Sequence, residues 1–174
     1  MQALNLIVIS ALLLLQACAN PSIVNVNEKA IGSISANSII FVPRFEGNPD
    51  FIEESTDYFV AQLESKISNT IIQGSVLRFE STDIKSGGNI APLKVALEAA
   101  KENDADVLIM GKVTSHKTAG TLNGFSTIMV YNVQTGERLA NFHRPSGMLI
   151  AHSEHQAVMA AVKRTASDVA DAIK

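Results

Sequence analysis

The sequence predicts an α/β (α+β) domain of two or three layers: a mixed sheet of about five strands with three helices, in the order β-α-β-α-β-β-β-α. Three observations predict it. Ser38-Ile39-Ile40-Phe41-Val42-Pro43 is a continuous apolar run closed by proline, the pattern of a strand buried on both faces. Two stretches of helical periodicity then separate strand-like runs, giving the early strands the long crossovers that parallel pairing requires. Later, two alternating runs flank a short glycine-containing turn, which reads as an antiparallel hairpin.

The first helix is expected from about Pro49 to Ser68. Asn48 can cap it, Pro49 suits the first helical position, and Asp50, Glu53 and Glu54 suit the positive end of the helix dipole. Ile52, Phe59, Leu63 and Ile67 recur at helical spacing, with Val60 widening the stripe. A second strand is expected at about Gly74 to Glu80, then a loop from Ser81 to Asn89. Pro92 opens a second helix through Lys101, rich in strong helix formers and stopped by Asn103-Asp104. Val107 to Val113 reads as an interior strand. Gly124 to Val133 and Arg138 to His143 form the hairpin around Gln134-Thr135-Gly136-Glu137. The last helix starts on a capping box, Ser153-x-x-Gln156, and Val158, Val162, Ala166, Val169 and Ile173 give it a core face.

The chain has 174 residues, a net charge of −3 with both signs interspersed, and one cysteine. Such a balance gives no electrostatic case for nucleic acid. A single cysteine permits no disulfide within the chain, so packing must supply the stability.

The amino terminus is the most specific part. Leu4 to Leu15 is an apolar run broken only by Asn5 and Ser10, followed by Gln16-Ala17-Cys18. A run of this length followed by small residues has the layout of a secretory signal and falls short of the roughly 20 apolar residues that span a bilayer. The cysteine directly after Ala17 resembles the bacterial lipobox. That resemblance implies a lipoprotein signal peptide over 1–17, cleavage between Ala17 and Cys18, and acylation of Cys18 with diacylglycerol and palmitate-type chains. Ala19, in place of the aspartate that retains lipoproteins in the inner membrane, implies the outer membrane, periplasmic face. Residues 18–37 then form the lipidated cysteine and a flexible polar tether, and 38–174 a single globular periplasmic domain.

No catalytic set emerges. His152 and His155 lie three apart with Glu154 between them, but no further ligands complete a metal site, and His116 and His143 lie elsewhere. Ser126 sits in no nucleophile elbow, and Asp57 with Glu54 reads as a solvated acidic face. Ser86-Gly87-Gly88 lacks the lysine and hydroxyl residue of a phosphate loop. The expectation is no enzyme activity, no cofactor and no metal.

Two short motifs carry a wider resemblance. Val42-Pro43-Arg44-Phe45-Glu46 closes the first strand, and Ala105-Asp106 leads into an apolar strand ending in Gly111-x-Val113. In element order and in these motifs, residues 38 to 172 resemble the periplasmic lipoprotein domains of the group that includes the curli secretion lipoprotein CsgG, the penicillin-binding-protein activator LpoB and the TolB amino-terminal domain. The resemblance implies a non-enzymatic adaptor or accessory subunit of an envelope assembly, with the membrane (through the lipid) and an unidentified envelope protein as partners. A periplasmic carrier of a small apolar or lipid ligand is the alternative. Phe125, Thr127, Met129 and Tyr131 are the candidate partner-binding residues, on a hairpin edge that could accept a partner strand.

Overall fold

The computed structural model describes residues 22–75, 90–118, 121–147, 151 and 153–174. Cys18 with its cleavage site, most of the strand expected at 74–80, the Ser86-Gly87-Gly88 segment and His152 lie outside the described residues. The elements are β1 (Ile23–Val26), α1 (Glu28–Ile31), β2 (Ile40–Val42), β3 (Glu46–Gly47), α2 (Pro49–Glu64), β4 (Ile71–Gln73), α3 (Ile90–Glu102), β5 (Val107–Thr118), β6 (Thr121–Asn132), β7 (Arg138–Pro145) and α4 (Glu154–Ile173).

The strands form one mixed sheet in the order β1-β7-β6-β5-β2-β4, with β3 alongside β5. β2 runs parallel to both β4 and β5, as the two helical crossovers require. β5, β6, β7 and β1 are successively antiparallel. The described sheet has seven strands and the described helices number four, against about five and three expected.

Alternation along the strands divides the core in two. Ile40 and Val42 of β2, Ile109 and Val113 of β5, and Ile128 and Val130 of β6 face α2 and α4. Phe41, Leu108 and Tyr131 point the other way and meet Ala96 and Ala100 of α3. The layers are therefore three: α2 with α4, the sheet, and α3.

Local chemistry sets the elements as the residues dictate. The Asn48 side chain accepts from the Asp50 N–H at 3.1 Å, and Ser153 from the Gln156 N–H at 3.1 Å, so each helix starts on a satisfied cap. The five α4 positions expected to face the core are all buried. In the Ala-Asp motif, Asp106 accepts from the Ile39 N–H at 2.9 Å and locks the start of β2 to β5. Gly111 leaves an opening on the inner face of β5 that the Phe45 ring fills; a Cβ there would lie 2.3 Å from that ring.

Two expectations differ. α2 ends at Glu64 rather than Ser68, because the β-branched run Thr70-Ile71-Ile72 joins β2 and the chain must turn first. The first described strand after α2 is Ile71–Gln73, just ahead of the stretch expected at Gly74 to Glu80, most of which lies outside the described residues. Within the stretch read as tether, Ile23–Val26 is an edge strand on β7, and α1 buries Ile31 against the core. An edge strand needs only one neighbour, and four residues reading Ile-Val-Asn-Val are too short a pattern to announce one.

Candidate docking surface on the open sheet face

α3 is the described helix on its side of the sheet, and its apolar contacts lie with β2, β5 and the end of β6. The rest of that face is carried by alternate residues of β5, β6 and β7. Registers place Met110 beside Met129, Lys112 beside Thr127, Thr127 beside His143, and Met129 beside Asn141. Phe125, Thr127, Met129 and Tyr131 thus share one face, as their spacing of two demands. Phe125, Thr127 and Met129 are half-buried and reachable, whereas Tyr131 is 7% exposed and packs in the α3 cluster.

Pairing of a partner strand along these residues is excluded. β6 is an interior strand, hydrogen-bonded to β5 on one side and β7 on the other, so it has no free backbone edge. The hairpin partner was legible in the sequence; the strand on its outer side, β5, and the position of β1 beyond β7 were not. The edges of the described sheet are β1 and β4.

A row of rings crosses the open face. Phe125 stacks on His143 at 5.6 Å and 13°, and meets His116 at 5.6 Å and 59°. Thr127 Oγ1 and His143 Nδ1 share a hydrogen bond of 2.8 Å, which fixes the imidazole within the row. Sequence reading missed this row, since its members come from three strands whose register is set by tertiary pairing. Beside it a cavity of about 310 Å³ is lined by Leu93, Met110 and Met129 together with Glu46, Lys112 and Arg138.

Burial raises the Tyr131 hydroxyl above its ordinary range, while the nearby Arg138 charge opposes the shift. Folding therefore favours the neutral phenol. Its contribution is intact below about pH 10 and is lost as pH climbs from the unfolded value through the raised folded one, at up to about 1.4 kcal/mol per pH unit. Tyr131→Phe should flatten the alkaline fall of the urea midpoint above pH 10; an unchanged profile would place the titration elsewhere.

On the helical face, a groove of about 560 Å³ runs beside Asp50, Glu53, Glu54 and Asp57. Glu53, Glu54 and Asp57 are partnered. Arg44 pairs with Asp57 and, at 3.5 Å, with Glu53. His155 Nε2 lies 2.8 Å from Glu54, and the Gln73 amide donates to Asp57. Such pairing is what a solvated acidic helix face shows. Ser126, the isolated hydroxyl of the sequence, is buried and bonded to Thr165 Oγ1 at 2.8 Å. Thr165 also contacts the Ala161 and Val162 carbonyls, so it donates to them and Ser126 donates to it. Among the described residues, no three His, Cys, Asp or Glu side chains gather as metal ligands.

No protein-family model and no curated protein sequence matches the chain. Solved structures do. PelC from Paraburkholderia phytofirmans, solved as a dodecamer, is similar with a TM-score of 0.59 at 11% identity, over 86% of this chain and 98% of that one. The LpoB C-terminal domain from Salmonella enterica is similar at 0.45 and 13% identity, over 65% and 84%. TolB from Acinetobacter baumannii is similar at 0.42 and 14% identity, over 88% of this chain and 30% of TolB. LpoB and TolB belong to the group that the two sequence motifs resemble. The likeness is one of fold: nearly the whole of the PelC chain superimposes on the domain described here.

Proposed function

We propose that the chain is an outer-membrane-anchored periplasmic lipoprotein acting as a non-enzymatic adaptor or accessory subunit of an envelope assembly. The observation that carries the reading is Cys18, the lone cysteine, set directly behind an apolar run of signal-peptide length. Acylation gives this otherwise unpaired thiol a role, and two or more acyl chains make the attachment stable. The shared fold with PelC, which was solved as a dodecamer, supports an accessory role within a larger assembly. The open sheet face around Phe125, Thr127 and Met129 is the docking surface of this reading. A carrier is less well supported, because the cavity beside that face places Lys112 and Arg138 among its apolar side chains.

Cys18→Ala should leave the precursor uncleaved and unacylated, read as a larger mass and loss of the protein from the outer-membrane fraction. Processing and attachment that survive the change would sink the lipid anchor. For the adaptor role, a photoreactive residue at Met129 should give one reproducible adduct in intact cells, to an envelope protein or a second copy. Absence of any adduct from Met129, together with none from Phe125, would count against this face.

A further inference from the structure

We infer that the β1 edge of the domain docks on the lipid surface itself, at headgroup depth, with Ile23 and Val24 as the contact; this rests on Cys18 being acylated. The exposed large apolar side chains among the described residues are these two neighbours, at 51% and 46% exposure. They lie on an edge strand whose outer side is unpaired within the described sheet. Isolated exposed apolar residues are ordinary. This pair is distinguished by its place in the chain.

Ala19, Asn20, Pro21 and Ser22 are the residues between Cys18 and Ile23. Even fully extended, at about 3.6 Å per residue, that link spans roughly 18 Å. A domain of this size is about 40 Å across by the usual scaling of the radius of gyration. The link is thus shorter than the domain is wide, and an acyl anchor holds the β1 edge against the bilayer. The β4 edge, five strand spacings away, stands roughly 24 Å farther out. Sequence reading had given the domain a leash running to residue 37, whereas Ile23–Val26 of that stretch is paired with β7.

Chemistry also limits the depth. Ile23 and Val24 alternate to opposite faces of β1, so an edge resting in the interface covers both. Among the described residues the outer N–H and C=O groups of that edge have no strand partner, and such groups are not tolerated in hydrocarbon. The strand therefore sits where headgroups and water still bond its backbone.

Acylation consumes the lone thiol, so an introduced cysteine is a unique labelling site in the acylated full chain. The probe is a fluorophore on Asn25→Cys, exposed on the same edge, with Thr70→Cys beside β4 as the distant control. Each protein is reconstituted in phosphatidylethanolamine and phosphatidylglycerol vesicles carrying nitroxide lipids. Emission from position 25 should be lost to a nitroxide at headgroup level and kept with one deep in the acyl region. Emission from position 70 should be kept with both. Adding Ile23→Ser with Val24→Ser should restore emission at position 25 while the protein stays attached. Equal quenching at 25 and 70, or quenching unaffected by the double change, overturns the docking with lipidation intact. If the parent chain purified from membranes reacts with maleimide at Cys18, the anchor fails and the docking falls with it.

Discussion

Phe59→Ala should lower the unfolding free energy by about 3–5 kcal/mol. Phe59 is fully buried on the inner side of α2, and its ring meets Phe45 edge-on at a centroid distance of 5.2 Å. Phe45 in turn occupies the opening that Gly111 leaves on β5. Removing the Phe59 ring deletes the apolar contact and also leaves Phe45 unsupported on one side, so the cavity cannot collapse without moving the Pro43 to Glu46 turn. The loss is a large share of the roughly 5–15 kcal/mol that holds a domain folded. Urea unfolding should show a lower midpoint at an unchanged slope. Phe59→Leu keeps most of the volume and should cost clearly less. Equal losses for the two would mean that the ring's shape, and not its bulk, fills the site.

Gly124→Ala should destabilise by about 3 kcal/mol, the upper end of what overpacking usually costs. The added Cβ would lie 2.2 Å from the Ala157 carbonyl carbon and 2.4 Å from the Val158 nitrogen. Those atoms are helix backbone, which no rotamer change can move aside. β6 and α4 touch through their main chains at this point, so relief requires the first turns of α4 to lift from the sheet. Amide exchange should therefore quicken first near Ala157 and Val158, before the centre of the sheet opens. A variant with the parent midpoint and parent protection would show that the helix does not sit this close.

Much of the fold was legible because its signals are local. Asn48-Pro49 and Ser153-x-x-Gln156 announce helix starts through hydrogen bonds made within a few residues. The Ile39 to Val42 run announces a buried strand by composition, and the turn at Gly136 announces the β6–β7 hairpin. What failed was nonlocal. β1 owes its existence to β7, far along the chain, and four residues reading Ile-Val-Asn-Val beside Asn and Ser carry no periodicity strong enough to show it. α2 was read too long because Ile67 continues its apolar stripe on paper, whereas it packs on the core beyond the helix end. The candidate surface divides along the same line. That Phe125, Thr127 and Met129 share a face follows from a period of two; that β6 lies inside the sheet depends on strand order, which residues 125–131 do not encode.

Strand order also fixes a sequence of events. Among the described strands the first pairs only with the last, Ile23 to Val26 lying against Ala140 to His143. A chain that emerges amino end first, from a ribosome or through a membrane, presents β1 long before its mate exists. Until Arg138 to Pro145 arrives and turns back along β6, Ile23 and Val24 have no strand to lie against. The loop to be closed spans nearly the whole molecule, and contacts of that range form late. The segment nearest the start is thus the final piece of the sheet to be laid.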